Sequence, residues 1–285
     1  MIPQNFEYSA PSNLTEALAL LAGGNAKVLA GGMSLIPLMK LRLAAPEHLV
    51  DLSRVPDLKA IREDAGSILI GAMATHYDIE SSPLIRSKCP LLTEAALHIG
   101  DVQVRNMGTI GGSLAHADPA ADYPASLLAL EAQVKIASAK GERTVGMEEF
   151  LVDAMTTVLE AGEIVREVIV PVEASGTGVA YQKMVHPASG FAIVGTAVRL
   201  RRSGGKVAFV RAGITGLAGK AFRATAVEKL LVGTAGSAAD IQKAAAAAAD
   251  GIDANSDLHA SAAYRRQMAK VYTARALMQA LSRCA

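Results

Sequence analysis

Apolar residues near the start of the chain follow first a helical and then a strand-like pattern. Their helical spacing in "SNLTEALALLA" predicts a short amphipathic helix with Ser12 as its N-cap. The following apolar run predicts a buried strand over 27–30, which breaks at Gly31 and Gly32 before a short helix that continues toward Leu43. The N-terminal part is therefore predicted to be a strand, a glycine-rich loop and a helix.

The middle of the chain alternates β-branched runs with polar segments. The runs "HLVDL", "SILIGAMATH", "AQVKIAS" and "EIVREVIVP" predict strands joined by loops, and "PLLTEAALHIG" predicts one helix among them. After the small-residue stretch 174–178, two β-branched runs predict a hairpin that turns at 203–205. The end is predicted to be helical, in "ATAVEKLLVG", the alanine run 244–249 and "SAAYRRQMAKVYTARALMQALSR".

Chain length sets the number of domains to expect. With 285 residues, of which 51% are hydrophobic, the chain can bury a large core and exceeds one average domain. The pattern predicts an α/β part at 1–55, a β-rich part at 56–175 and a C-terminal part of antiparallel sheet and helices at 176–285. The predicted fold class is α+β.

Charge and cysteine content exclude several classes of function. The 28 basic and 27 acidic residues leave a net charge of +1, so no global field attracts nucleic acid or an acidic membrane. No apolar stretch approaches the roughly 18 residues of a membrane helix, and the first residues lack a signal-peptide pattern, so we expect a cytoplasmic protein. Cys89 and Cys284 are too few for a zinc or iron-sulfur site of four thiolates. Any redox centre in this chain is therefore expected to be organic.

Two Gly-Gly pairs, each followed by a serine, are the main candidates for a binding site. Neither "AGGMS" at 30–34 nor "IGGS" at 110–113 fits G-x-G-x-x-G or the G-K-[ST] ending of a P-loop. Each offers backbone N–H groups beside a hydroxyl, and a residue without Cβ lets the backbone approach an anion closely. A diphosphate cradle and a simple tight turn both remain open for each pair.

The segment "HADPAAD" invites comparison with a metal site. His116, Asp118 and Asp122 have no second histidine nearby and no helical spacing to direct them together, so a metal is disfavoured. Asp118 precedes Pro119 and is expected to begin a turn. Asp122 has mostly small apolar neighbours, and its carboxylate would need a hydrogen-bond donor, such as a ligand hydroxyl, if it were buried.

Five segments resemble one known family. They are "AGGMSLIPLMKLRL", "IGAMATH", "GDVQVRNMGTIGGSLAHADPAADYPA", "YQKMVHPASGFAIVGTAV" and "SAAYRRQMAKVYTARAL". In this order they resemble the FAD-binding medium subunits of molybdenum hydroxylases, the xanthine dehydrogenase and carbon monoxide dehydrogenase family, over nearly the whole chain. The resemblance implies a vanillyl-alcohol-oxidase-type (PCMH-type) FAD-binding fold, with the two N-terminal parts forming the FAD site and a C-terminal sheet-and-helix domain.

The resemblance also assigns cofactor-binding positions. It implies a first FAD loop, a second FAD loop, an acid that bonds the polar chain of the cofactor, a basic residue that meets the cofactor, and two residues that flank the adenine. In that order these are Lys27, Val28, Leu29, Ala30, Gly31, Gly32, Met33, Ser34 and Leu35; Thr109, Ile110, Gly111, Gly112 and Ser113; Asp122; Lys183; and His98 with Val165.

Some positions depart from the family pattern or have a second interpretation. Met33 stands where the family often has His, which removes a polar side chain but leaves the backbone loop. Ser113 stands where many members have Asn, and its hydroxyl can also donate or accept. Phe191 follows a glycine where the family places an apolar or aromatic residue over the isoalloxazine; a core aromatic at the start of a strand is the alternative.

The resemblance implies an oxidoreductase subunit whose FAD passes electrons from a partner's 2Fe-2S cluster to an external acceptor. The large molybdenum-cofactor subunit and the small 2Fe-2S subunit would be separate chains, with a dimer of heterotrimers (a heterohexamer) as the usual assembly. The inserted 4Fe-4S loop of some members is missing from this sequence. A nucleotide-binding subunit without redox activity and a stand-alone flavin oxidase are the alternatives. His186 is a candidate base for the oxidase, but no catalytic arrangement around it is visible in the sequence.

Overall fold

The computed structural model describes residues 2–284 as a mixed α and β fold built on three main sheets. The strands are β1 (Glu7–Ser9), β2 (Ala26–Leu29), β3 (His48–Asp51), β4 (Ile61–Asp64), β5 (Ser67–Gly71), β6 (Gln133–Ser138), β7 (Gly141–Gly146), β8 (Leu151–Asp153), β9 (Thr156–Thr157), β10 (Ile164–Pro171), β11 (Gly178–Val185), β12 (Ala192–Ser203), β13 (Lys206–Thr215) and β14 (Phe222–Arg223). The helices are α1 (Leu14–Leu21), α2 (Leu35–Lys40), α3 (His76–Ser81), α4 (Pro83–Lys88), α5 (Pro90–Leu97), α6 (Val102–Met107), α7 (Ile110–His116), α8 (Asp122–Ala129), α9 (Met147–Phe150), α10 (Thr225–Leu231), α11 (Ala238–Ala246) and α12 (Ala262–Ser282). Two 3-10 turns, at Leu52–Arg54 and Pro56–Leu58, complete the elements.

The N-terminal sheet is parallel, in the order β1-β3-β2. The predicted strand, loop and helix are confirmed as β2, residues 30–34 and α2. The predicted cap of α1 is wrong by one residue, because the Asn13 side chain, not Ser12, accepts from the Glu16 N–H. Ser12 instead donates its N–H and hydroxyl to the Glu16 carboxylate. At the start of α1, the Glu16 N–H is therefore satisfied by Asn13 and the Ser12 N–H by Glu16.

The second sheet is antiparallel, in the order β4-β5-β10-β6-β7. The predicted helix is confirmed as α5, but it is one of seven, since α3 to α9 all lie between β5 and β10. Each has eight residues or fewer, which is too short for a helical period to show in a window of about 11 to 18 residues. Local caps fix several of them, because the side chains of Thr75, Ser82, Asp101 and Thr109 accept from first-turn amides.

The third sheet is antiparallel, in the order β11-β12-β13-β14. The predicted hairpin is confirmed, with β12 and β13 paired up to Ser203 and Lys206. The predicted C-terminal helices are confirmed as α10, α11 and α12, although α11 ends at Ala246, inside the alanine run.

The two faces of the third sheet pack against different parts of the chain. One face, with Ala180 and Val198, belongs to the same core as α10 to α12. The other face, with Tyr181 and Ala197, joins the core of the second sheet beneath α5 and α8. The predicted domain boundaries at 55/56 and 175/176 stay a prediction. One hydrophobic core continues across the boundary at 175/176.

Candidate functional site

The loop between β2 and α2 carries a run of backbone N–H groups with no acceptor. Among the described residues, no hydrogen bond uses the N–H groups of Gly31 to Leu35, and Ile36 is the first to find one, at the Gly32 oxygen, 3.0 Å away. Gly32 has a φ of +72°, a left-handed conformation that favours glycine. Five successive N–H groups without an acceptor in the protein are available to an anion such as a phosphate group.

The second glycine pair has its N–H groups already bonded. Ile110 and Gly111 donate to the carbonyls of Ala74 and Ala72, at 3.1 and 2.9 Å. Gly112 donates to the Thr109 hydroxyl at 3.1 Å, and Ser113 donates to the Thr109 carbonyl at 2.9 Å. The sequence interpretation of exposed N–H groups is therefore wrong for this pair. The segment begins helix α7, and its glycines serve packing.

The packing role of these glycines follows from their neighbours. A Cβ placed on Gly111 would lie 2.7 Å from the Ala72 carbonyl oxygen, and so it would collide with the backbone of the residue after β5. A Cβ on Gly112 would lie 3.5 Å from the Ala30 Cβ. In the first glycine pair, a Cβ on Gly31 would collide with the Met107 carbonyl. The two segments that carry the glycine pairs, about 80 residues apart in sequence, therefore pack against each other.

Asp122 is the acidic centre of a buried polar cluster. It is 5% exposed at the start of α8 and accepts from the Tyr181 hydroxyl at 2.5 Å and from Lys183 Nζ at 2.9 Å. Lys183, with a fully buried side chain, also donates to the His98 carbonyl at 2.8 Å. The chain itself thus supplies the donors that the sequence interpretation sought from a ligand.

The electrostatics of this cluster reflect its burial. Desolvation raises the pKa of Asp122 to about 6, and the Lys183 ammonium and the Tyr181 hydrogen bond oppose that rise. Burial lowers the pKa of His98, and the nearby Lys183 charge lowers it further. The His98 ring packs edge-on against Tyr181, with centroids 5.6 Å apart. The Asp122–Lys183 ion pair carries no net charge, and the His98–Tyr181 ring pair packs beside it.

The other predicted positions lie in different surroundings. Phe191 is 45% exposed just before β12, so the alternative of a core aromatic is wrong. The preceding Gly190 approaches Gly100, since a Cβ on Gly190 would lie 3.6 Å from the Gly100 Cα, two residues after His98. Val165 lies in β10 opposite Ile136, with its side chain in the core. The structure therefore brings Phe191 to the His98 end of the site and leaves Val165 in the sheet.

The remaining predicted residues belong to the first loop and to the metal candidates. Lys27, Val28 and Leu29 lie in β2, and Met33 is 42% exposed. Asp118 accepts from the Ala120 N–H at 2.8 Å, which confirms the predicted turn. Within residues 2–284, no three His, Cys, Asp or Glu side chains come together as a metal site.

Two residues of the site were missed in the sequence analysis. Tyr181 lies two positions before Lys183 on β11, so strand alternation places both on the same face, a signal that was available. His76 donates its N–H to the Gly108 carbonyl at 2.9 Å, and its ring lies where a Cβ on Gly108 would fall. Burial lowers the pKa of His76 to about 4, which keeps this ring neutral beneath the second glycine pair. No motif in the sequence signals that role.

The residues present fit a diphosphate-containing dinucleotide. The free donors of Gly31 to Leu35 suit diphosphate oxygens, and the left-handed φ of Gly32 allows the turn that carries them. Residues 4–173 match the family described as FAD binding domain in molybdopterin dehydrogenase. Residues 179–280 match the CO dehydrogenase flavoprotein C-terminal domain. The fold is therefore that of an FAD-binding flavoprotein.

Similar proteins span the whole chain. The carbon monoxide dehydrogenase medium chain of Hydrogenophaga pseudoflava is 44% identical, with 100% of both chains covered. The 6-hydroxypseudooxynicotine dehydrogenase complex subunit alpha of Paenarthrobacter nicotinovorans is 40% identical, covering 99% of this chain and 97% of that one. A solved structure of carbon monoxide dehydrogenase from Hydrogenophaga pseudoflava superposes with a TM-score of 0.97 at 45% identity and full coverage of both chains.

This protein belongs to the family of FAD-binding medium subunits of molybdenum hydroxylases, a family of oxidoreductases. The predicted family, fold class and cofactor are confirmed. The two relatives are named as chains of multi-subunit enzymes. None of the helices in residues 2–284 combines the length and the apolar composition needed to cross a membrane.

Proposed function

We propose that the chain holds FAD with its diphosphate on the Gly31–Leu35 loop. The observation that carries this proposal is the run of five N–H groups without acceptors, in contact with the second glycine pair. Bound FAD would supply reversible one- and two-electron redox chemistry, which no side chain of this protein provides. The protein would bind, orient and shield the cofactor, and the segment with Thr109, Gly112 and Ser113, whose N–H groups are bonded within the chain, would border the diphosphate site without supplying N–H donors to it.

The buried cluster would position the remainder of the cofactor. Asp122 and Lys183 neutralise each other, so a cofactor beside them would meet no net charge. Phe191, exposed beside the His98 end of the site, would cover the isoalloxazine. The adenine would lie between His98 and Val165 in the arrangement that the family resemblance implies. His98 packs against Tyr181, whereas Val165 lies within the second sheet. The adenine position is therefore the most informative part of this proposal to test.

We infer that this subunit relays electrons from a 2Fe-2S partner subunit to an external acceptor. A large subunit would carry the molybdenum cofactor, and the complete assembly would be a dimer of heterotrimers. The medium-chain names of the relatives support the subunit role. The compound oxidised is left open, because the relatives are named after carbon monoxide and 6-hydroxypseudooxynicotine, among others. We place the assembly in the cytoplasm, where the free thiols of Cys89 and Cys284 would stay reduced.

The alternatives make different predictions for the isolated chain. A stand-alone oxidase needs its own base, and His186, the sequence candidate, is engaged with His259 and Ser189. A binding subunit without redox activity would hold a flavin that partners cannot reduce. We expect a bound flavin whose visible absorbance is lost with dithionite and returns in air.

Reconstitution tests the relay directly. The FAD-loaded chain alone should oxidise no organic substrate, and addition of the iron-sulfur and molybdenum subunits should give substrate-dependent reduction of its FAD. Turnover by the isolated chain at the rate of the complex would establish the oxidase instead. No flavin reduction in a complex whose molybdenum subunit is shown to be active would establish the binding subunit without redox activity.

A further inference from the structure

Two histidines outside the proposed FAD loops place ring nitrogens against each other at the protein surface. His186 follows β11 and His259 lies in the turn before α12, and His186 Nε2 is 3.1 Å from His259 Nδ1. Their rings lie edge to face, with centroids 4.2 Å apart. Two imidazole nitrogens bound to one tetrahedral zinc ion lie about 3.3 Å apart, because each Zn–N bond is about 2.0 to 2.1 Å. The separation of the two nitrogens is thus within a few tenths of an ångström of that between two zinc ligands.

The neighbours of His186 define how its ring is protonated. The Ser189 N–H donates to His186 Nδ1 at 3.1 Å, so this nitrogen carries a lone pair and the proton of the neutral ring is on Nε2. A metal on Nε2 would shift that proton to Nδ1, which ends the bond from the Ser189 N–H, and the Ser189 hydroxyl oxygen, 2.9 Å away, can then accept from Nδ1. Metal-bound histidines usually donate their second N–H to such an acceptor. The proton therefore stays on the ring, and no base is required.

His259 lies in a well-anchored turn. Asp257 accepts from the N–H groups of His259 and Ala260 at 2.9 and 3.0 Å, and it pairs with Arg265 at 2.6 Å. Arg265 also donates to the carbonyls of Ile193 and Gly216. The Asp257 carboxylate is fully used in this way. The site therefore offers two protein ligands and open positions for water.

We propose that His186 and His259 form a surface site for a divalent transition-metal ion of the zinc type. Imidazole nitrogen suits zinc, copper and nickel, whereas magnesium prefers oxygen ligands. A bound ion would fasten the His186–Phe191 turn to the segment 257–260. The site requires neither bound FAD nor a partner subunit.

Calorimetric titration of the untagged full chain with Zn²⁺ at pH 7.5 tests the site. We expect one ion per chain, a loss of affinity of at least about tenfold in each of His186→Gln and His259→Gln, and little response to Mg²⁺. His48→Gln is the matched control, since His48 bonds to Ser9 on the parallel sheet and faces no second histidine.

The outcomes separate clearly. Equal zinc affinity in the wild type and in either glutamine variant overturns the proposal, as does an equal loss in His48→Gln. Both variants replace surface side chains, and a thermal unfolding curve without metal identifies any that misfolds. If one of the two variants misfolds, the zinc affinity of the other variant decides the result.

Discussion

The Gly31–Leu35 loop and the Thr109–Ser113 segment contain the same Gly-Gly pair, but their N–H groups are used differently. In the first, five consecutive donors have no acceptor within the described residues; in the second, all four from Ile110 to Ser113 are bonded within the chain. The Asp122 cluster resembles the second region, because both of its carboxylate oxygens are already bonded. A similar motif can therefore serve to bind a ligand in one place and to build the protein in another. Changes in the bonded region should reduce folding stability, and changes in the open loop should affect FAD.

The largest effect is expected from Lys183→Met. The substitution leaves the Asp122 carboxylate buried with only Tyr181 as donor, which should reduce the free energy of unfolding of the FAD-free chain by about 3 to 5 kcal/mol. Urea unfolding at pH 7 measures the loss. The double variant Lys183→Met/Asp122→Asn should recover part of it, because no unpaired charge remains. A single variant as stable as the wild type would mean that this cluster does not belong to the bonded region.

A pH effect of similar size should come from Asp122 itself. Its pKa of about 6 in the folded chain exceeds the ordinary value of 3.8, so the folded state holds the proton more tightly than the unfolded state. Its stabilising contribution is complete below pH 3.8 and is lost as pH rises through about 6, on the order of 3 kcal/mol in all. The unfolding free energy of the wild type relative to Asp122→Asn should therefore fall between pH 4 and 6. A difference that does not change with pH over this range would contradict the raised pKa.

Gly111→Val should cost about 1 to 3 kcal/mol in the FAD-free chain, because its side chain would collide with the Ala72 backbone. Loss of FAD from this variant would then follow from disturbed packing of the second glycine pair. The matched control is Gly146→Val, where a Cβ meets no atom within 4 Å and φ is −67°. If Gly111→Val and Gly146→Val were equally stable, the packing role assigned to Gly111 would be wrong.

The smallest effect is expected from Met33→His in the open loop. Because Met33 is 42% exposed, the unfolding free energy should change by less than about 0.5 kcal/mol. A new hydrogen bond to FAD would strengthen binding by up to roughly tenfold, measured by flavin fluorescence titration. A large loss of stability without FAD would show that the open loop also takes part in folding.

Sequence reasoning found this site through the family resemblance and through residue types. It located both glycine pairs, the strand, loop and helix around Gly31, and the hairpin at Ser203. It could not assign the N–H groups of Ile110 and Gly111, because their acceptors, the carbonyls of Ala74 and Ala72, are backbone atoms that any residue supplies. The short helices α3 to α9 were missed for a related reason: four of them have a side-chain cap, all depend on tertiary packing, and each has too few residues for a periodic signal.

Hydrogen–deuterium exchange at the two glycine pairs tests the central claim most directly. In the FAD-free chain, the N–H groups of Gly31 to Leu35 should exchange rapidly and those of Ile110 to Ser113 slowly, because only the latter are hydrogen-bonded. FAD should slow exchange at Gly31 to Leu35 strongly and change Ile110 to Ser113 little. Strong FAD-dependent protection at Ile110 to Ser113, with none at Gly31 to Leu35, would contradict the division between an open binding loop and a bonded structural one.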